Sequence, residues 1–315
     1  MPILFLMTAR KRRLTGYIET ALDCLLRDPR IPSFPLGKEY LILSDFHLGD
    51  KSDADNFKKN EEIACEMMEY YSKKGVIIII NGDFEELWQF SCESIRKAYH
   101  RFFSSLKGLF GSRVIRLYGN HDADGPYRGF YPGIILTGSD TDKPLLITHG
   151  HLGSSESDLY SWFSRICVRL FRYLEPICLK TGVIRAPIFK RPCFRHEFEH
   201  IHNEWARKRG CRIICGHSHR AVFASRSFYE KLKGQRRKSK KLRDKTILTG
   251  QIIKEIIQHR NMTFDVKNES VYFNCGCGLY KRGITALEIS GFVIRLVKWE
   301  KRGRRVFDEM DLKEQ

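Results

Sequence analysis

An α/β fold is predicted by two observations on this 315-residue chain. Strand-like and helix-like stretches alternate from 39 to 149. Five apolar, β-branched runs end directly on short clusters of Asp, Asn and His, the arrangement of side chains mounted where buried strands run into loops. The alternation reads in order. A strand near 40–44 leads to a helix near 56–74, a strand near 76–80, a helix near 92–107 and a strand near 113–118, a rhythm that calls for helical crossovers on a largely parallel sheet. Shorter strands near 134–137 and 145–148 follow.

Residues 152–209 break the rhythm and read as a helical insertion. Leu159, Trp162, Phe163, Ile166, Leu170 and Leu174 form one apolar stripe there, and Arg165, Arg169 and Arg172 a basic one. A second helix is expected over 195–208, then a strand near 211–215. A further insertion spans 226–262; within it, residues 231–245 hold nine Lys or Arg against one acid, Asp244. Strands near 271–274, 284–289 and 292–298 finish the domain, the last two turning at Ser290-Gly291. The expected organisation is a helical leader at 1–38, a domain at 39–300 carrying both insertions, and a polar tail at 301–315. In the leader, Leu14, Ile18, Ala21, Leu22 and Leu25 recur at helical spacing and Pro32 and Pro35 close the segment. Packing on the core is the expectation, a membrane surface the alternative.

The clusters are Asp45-Phe46-His47, Gly82-Asp83, Gly119-Asn120-His121-Asp122, His149-Gly150-His151 and Gly216-His217-Ser218-His219. One of them alone would be a turn. Five in series amount to a metal site. Carboxylate, carboxamide and imidazole donors together suit Mn, Fe or Zn better than Ca, and two such ions roughly 3.5–4 Å apart can share one carboxylate and clamp a phosphoryl group.

Composition bounds the rest. The net charge of +18, from 55 basic and 37 acidic residues, favours anionic partners: a phosphorylated substrate, an acidic lipid surface or nucleic acid. The basic run lacks interleaved aromatics, so the stacking of a single-strand nucleic-acid platform is missing and the membrane surface is preferred. Ten cysteines without a C-x-x-C pair build neither a disulfide framework nor a zinc ribbon, and the Cys275/Cys277 pair reads as buried small apolar residues. The longest apolar stretches, Ile3 to Met7 and Val76 to Ile80, fall far short of the roughly 20 residues of a membrane span. At the start of the chain the apolar segment precedes the basic cluster Arg10 to Arg13, the reverse of signal-peptide order. A cytoplasmic protein, peripheral to the inner membrane face if membrane-associated, is expected.

The order D-x-H, G-D, G-N-H-D, H-G-H, G-H-x-H resembles the calcineurin-like metallophosphoesterases over about 40–300. The resemblance implies a two-sheet α-β-β-α sandwich and in-line displacement at phosphorus. It also implies roles: Asp45, His47 and His219 on one metal (Mn first; Fe or Zn otherwise), Asn120, His149 and His217 on the other, and Asp83 bridging. His121 would face the leaving-group oxygen as general acid or stabilising cation, and Asp122 would orient local backbone. His151 is the lesser choice as a ligand. Within the family, Gly82-Asp83-Phe84-Glu85-Glu86-Leu87-Trp88 fits G-D-x-x-E-x-W, and Arg220 follows the last motif. These features resemble the UDP-2,3-diacylglucosamine pyrophosphatases of lipid A synthesis, which release UMP and a lipid monophosphate. That resemblance implies substrate contacts from Glu86, Trp88, Arg165, Arg169 and Arg172. The chain departs from that group in carrying His121 where Arg is typical, and in its leader and basic insertion. A phosphodiesterase, phosphatase or nuclease on another substrate stays open, as does a non-catalytic scaffold. His196-Glu197-Phe198-Glu199-His200 matches the H-E-x-x-H zinc-protease helix. No third ligand lies nearby, and Phe198, Ile201 and Trp205 mark an ordinary amphipathic face, so the match reads as coincidence.

Overall fold

A computed structural model describes residues 2–123, 125, 129–139, 143–154, 161–181, 195–227, 236, 245–247, 249, 271–281 and 283–313. Side chains are described within these ranges except at 2–12, 161, 171–172, 174–180, 195–197 and 226–227.

Two sheets face each other, and period-2 alternation of apolar side chains explains why both faces of each are covered. The six-stranded sheet runs β13(Gly303–Asp311)-β12(Val293–Glu300)-β11(Ile284–Ser290)-β2(Glu39–Leu43)-β3(Ile77–Asn81)-β4(Val114–Leu117). In β2, Leu41 and Leu43 point to one side, where they join Ile63 and Met67 of α2(Glu61–Ser72) and Phe102 and Leu106 of α4(His100–Phe110). Tyr40 and Ile42 point to the other, into a core shared with Ile134, Leu136, Leu145, Ile147, Ile214 and Phe273.

Those residues belong to the second sheet, ordered β1(Ser33–Pro35)-β5(Gly133–Thr137)-β6(Leu145–Thr148)-β7(Arg212–Cys215)-β10(Tyr272–Cys275)-β8(Ala221–Phe223)-β9(Arg226–Ser227). Its outer face, including Leu146, Ile213 and Tyr272, packs on Ile18, Leu22 and Leu25 of α1(Pro2–Leu26) and on Ile201 and Trp205 of α6(Arg195–Arg209). The order of layers is helix, sheet, sheet, helix. The expected sandwich is the observed fold.

α2 illustrates how sequence makes these layers. Glu61 and Glu62 occupy its first turn, where carboxylates favour the helix dipole. Ile63, Ala64, Met67, Met68 and Tyr71 then form one buried stripe. α1 is tied to α6 by ion pairs as well as by its apolar face: Arg209 pairs with Asp23, and Lys208 Nζ lies 2.6 Å from Glu19 Oε1.

Three expectations are corrected. The helix expected at 92–107 is two helices, α3(Cys92–Ala98) and α4, broken at Tyr99. The Tyr99 hydroxyl donates to the buried Asp55 carboxylate at 2.6 Å, a tertiary bond that outweighs helical continuity. The polar tail expected from 301 contains β13, an edge strand whose Arg and Glu residues hid its β character; such charges on an edge block strand addition by other chains. Arg304 of β13 grips Glu288 of β11 with two bonds of 2.6 and 2.5 Å. The leader also holds a strand, since β1 pairs in parallel with β5. Of the basic run at 231–245, only Arg236 and Lys245 lie among the described residues; the rest, with Leu159, falls outside them.

Parallel pairing of β2, β3 and β4, and of β6 and β7, gives these five strands a common direction within each sheet. The five polar clusters follow their C-terminal ends.

Candidate metal centre

The two sheets bring the clusters together. His219 Nε2 lies 3.0 Å from Asp45 Oδ1 and 3.1 Å from His47 Nε2. His47 Nε2 lies 3.7 Å from both Asp45 Oδ1 and Asp83 Oδ2. On the other side of Asp83, His149 Nε2 is 3.1 Å from the same Oδ2. Among the described residues, three groups gather ligand-type atoms within 4.8 Å of one another: Asp45, His47 and His219; Asp83, His149 and His217; and His47, Asp83 and His121. Asp83 is common to the last two. Asn120 is buried beside them.

The backbone is bent to make this possible. Asp45, His47, Asp83, His217 and His219 have φ of 56°, 48°, 51°, 61° and 56°, a left-handed conformation costing non-glycine residues of order 1–3 kcal/mol each. Two glycines allow the loops to touch. A Cβ on Gly119 would stand 2.1 Å from Asp83 Oδ1, and one on Gly216 would stand 2.0 Å from Ser44 Oγ.

A network of hydrogen bonds fixes the loops. The Asp122 carboxylate accepts from Gly119 N at 2.7 Å and from Phe84 N at 2.9 Å, tying the third cluster to the second. Asp83 Oδ1 accepts from His121 N at 2.8 Å, and Asp45 Oδ2 from His217 N at 2.9 Å. His149 Nδ1 donates to the Asn81 carbonyl at 2.8 Å, which directs Nε2 toward Asp83. Glu199, from the H-E-F-E-H stretch, accepts from Ser218 Oγ at 2.5 Å and pairs with Arg220. That stretch braces the last cluster; the side chains of His196 and Glu197 lie outside the described residues.

The electrostatics favour anions facing imidazoles. Burial opposes ionisation of Asp45, but His219 and His149 outweigh it and hold the carboxyl well below the usual range. Burial likewise opposes charge on Asp83, and His149 and His121 overcome it. Glu86 is brought down to about 2 because His121 and His47 outweigh its burial. Burial, then Asp83 and Glu85, push Asp122 up to about 6. For His149, Asp83 and Asp45 prevail over burial and raise it to about 9. His217 is pushed down by burial and by His149, leaving a neutral ring.

Among the described residues, Asn120 Oδ1 is buried without a hydrogen-bond partner, while Asp45 Oδ1 and His149 Nε2 are buried with only the ion-pair contacts to His219 and Asp83. Unpartnered buried acceptors are costly. An orphan carboxamide oxygen beside buried carboxylates and imidazoles is what a site for divalent ions provides. The donor set fits such ions.

Glu86 and Trp88, expected at the substrate, are both engaged with histidines of the site. Glu86 Oε2 accepts from His47 Nδ1 at 2.7 Å and Oε1 from His121 Nδ1 at 2.6 Å. Trp88 is 5% exposed and stacks on His121, with centroids 4.0 Å apart. The reason is register. The β2–β3 pairing continues beyond the strands, with His47 N donating to Asp83 O and Leu48 N to Phe84 O, so the segment holding Glu86 runs beside His47. The signal in the sequence was the acid three residues after Asp83. Of the expected arginines, Arg165 lies over the Trp88 ring at 5.8 Å. Arg169 is exposed on α5(Ser161–Lys180), and the Arg172 side chain lies outside the described residues. His151 is buried beside His149, with ring centroids 5.4 Å apart.

The family model described as Calcineurin-like phosphoesterase matches residues 39–221. That is more than half of the chain, and it contains all five clusters: the chain belongs to the calcineurin-like phosphoesterases, metal-dependent hydrolases of phosphate esters. Similar solved structures include a cold-active protein-tyrosine phosphatase of a psychrophilic Shewanella species, 13% identical, with 89% of this chain and 83% of that one covered and a TM-score of 0.36. A mutant cold-active protein tyrosine phosphatase gives 13% identity over the same shares and a TM-score of 0.37. A search of curated proteins finds no match. Among the described residues, no helix is long and apolar enough to cross a membrane.

Proposed function

We propose that this protein hydrolyses a phosphodiester or diphosphate with two divalent ions. Asp45, His47 and His219 would hold one ion and Asn120, His149 and His217 the other, with Asp83 shared. The observation that carries this is the pair of carboxylate–imidazole groups, Asp45, His47 and His219 on one side and Asp83, His149 and His217 on the other, with the orphan Asn120 oxygen buried beside them. When bound, two such ions polarise the phosphoryl group and make water a stronger acid. The chain's own residues do the rest. Glu86 holds the Nδ1 protons of His47 and His121, which fixes both tautomers and leaves each Nε2 for the centre or the substrate. As the imidazolium, with its Nδ1 proton held by Glu86, His121 would give its Nε2 proton to the leaving-group oxygen as the ester bond breaks and be left as the neutral ring. Purified protein should turn over a chromogenic phosphodiester when Mn is supplied and lose that activity to a chelator. A protein that binds the metal and cleaves no ester would be a scaffold.

For the substrate we propose an amphipathic nucleotide diphosphate lipid of the UDP-diacylglucosamine kind. The G-D-x-x-E-x-W residues no longer support this, since Glu86 and Trp88 are occupied with His121. α5 does. Trp162, Phe163, Ile166 and Leu170 are 63%, 56%, 51% and 63% exposed, an apolar stripe beside Arg165 and Arg169 that suits hydrocarbon and phosphate together. Incubation with UDP-2,3-diacylglucosamine and Mn should release UMP and the lipid monophosphate. Each buried acyl methylene contributes about 0.8 kcal/mol, so a deacylated analogue should bind far more weakly. Polar substitutions at Trp162, Phe163 and Ile166 should erase most of that difference. Cleavage of simple esters without UMP release would leave the phosphoesterase and remove the lipid.

The basic run at 231–245 is proposed to deliver the protein to an anionic membrane surface. Each Lys or Arg near such a surface is worth on the order of 1 kcal/mol. Neutralising four of them should weaken sedimentation with acidic liposomes by several hundred-fold while turnover of a small soluble ester is unchanged. Tight, salt-sensitive binding to RNA or DNA without liposome binding would point instead to nucleic acid.

A further inference from the structure

His121 is held at two edges but needs a third constraint. Its backbone N–H donates to Asp83 Oδ1 at 2.8 Å and its Nδ1 donates to Glu86 Oε1 at 2.6 Å. One hydrogen bond at Nδ1 fixes a point on the ring and leaves the plane free to swing about that bond. Trp88 removes the freedom. Its indole lies 4.0 Å from the imidazole centroid, at an interplanar angle of 24°, while His47 meets the imidazole edge-on at 4.7 Å and 84°. Among the described residues the buried indole N–H has no hydrogen-bond partner, so it is the ring face of Trp88, and not its donor, that makes the contact.

We infer that Trp88 is a positioning residue: its indole face sets the plane of the His121 imidazole, and Arg165 of α5, lying over the same indole, links that plane to the helix beside the site. This rests on the proposed role of His121 toward the leaving group. A packing role alone would lower stability without touching the leaving-group dependence of the rate. Positioning makes a narrower demand, because displacing a reacting group by about 1 Å can cost on the order of 10²-fold.

The test uses the full chain with Mn and two esters of one acid, one with a nitrophenol and one with an alkyl alcohol leaving group. Trp88→Phe keeps an aromatic face and loses the N–H; its kcat should stay within about 3-fold of the parent. Trp88→Leu should lose roughly 10–100-fold in kcat on the alkyl ester and much less on the nitrophenyl ester, with KM and metal content unchanged. In a His121→Ala background, Trp88→Leu should cost nothing more, since two residues acting as a unit are not additive. Trp88→Met repeats the comparison should the leucine variant not fold. The His121 ring resonance, followed by NMR without turnover, should lose its aromatic shielding in Trp88→Leu and keep most of it in Trp88→Phe.

Equal losses on both esters, additive losses with His121→Ala, or a phenylalanine variant as poor as leucine would overturn the inference; the last would assign the indole N–H to substrate. If the parent cleaves no ester with any divalent ion, the phosphoesterase reading fails, while the resonance still decides whether Trp88 fixes the ring.

Discussion

Replacing Asp83 is expected to empty the metal centre and reduce turnover by on the order of 10⁴-fold or more, the scale seen when a catalytic unit is dismantled. Asp83 Oδ2 lies 3.7 Å from His47 Nε2 and 3.1 Å from His149 Nε2, so among the described residues this carboxylate faces both groups of imidazoles. Its Oδ1 accepts the His121 amide. Asp83→Asn is the better variant, because Asn tolerates the left-handed φ of 51° where Ala is strained. Elemental analysis should find close to two transition ions per parent chain and far fewer in the variant. An unchanged metal content would take Asp83 out of the centre, whatever happened to the rate.

The variant is also informative about stability. His149 is raised to about 9 chiefly because Asp83 and Asp45 outweigh its burial. Without the Asp83 charge, a buried imidazolium loses its nearest partner, and burial then favours the neutral ring. For a histidine raised above its unfolded value, the stabilisation is complete below the unfolded pKa of about 6.5 and is lost as pH rises through about 9. The metal-free parent therefore owes stability to this pair at pH 6, and Asp83→Asn forfeits it there.

The clusters were legible because each stands immediately after a buried strand, where local order in the chain dictates position. Asp45, Asp83, Asn120, His149 and His217 need only the strands to align for their side chains to meet, and the apolar runs ensure that alignment. What could not be read is set by contacts between distant segments. The break at Tyr99 depends on a hydroxyl bond to Asp55, and β13 on pairing across β12, with its bulge at Leu296/Val297. Glu86 was visible as an acid at a fixed distance from Asp83, and its family pattern suggested substrate. Only the continued β2–β3 register, together with the left-handed turns at His47 and Asp83, shows that its two oxygens are shared between two histidines. Glu199 was hidden in the same way: its contacts with Ser218 and Arg220 cross from α6 to a loop after β7. The left-handed residues themselves carry no sequence signal, since Asp and His fill these positions for their donor atoms despite the strain.

His121→Ala should keep its metals and lose about 10²–10⁴-fold in rate, or about 3–5 kcal/mol. The ring touches the centre without being indispensable to it: one of its nitrogens comes within 4.8 Å of ligand-type atoms of His47 and Asp83, while its Nδ1 is engaged by Glu86. A group so placed reaches the phosphoryl oxygens or the leaving group once substrate is seated. The loss should therefore be largest for alkyl leaving groups, which need a proton as the bond breaks, and small for nitrophenol. Glu86→Gln tests the same arrangement from behind. It removes the negative charge that faces His121 and His47 but keeps one oxygen, so a smaller loss of about 10–100-fold is expected, of the size typical for residues that orient ligands. Because Glu86 also holds His47, this variant should bind metal more weakly as well, whereas His121→Ala should not. Metal titration followed by rates on both esters separates the two residues. Equal losses across leaving groups for His121→Ala would deny it the leaving-group role, and loss of metal in that variant would make His121 a ligand.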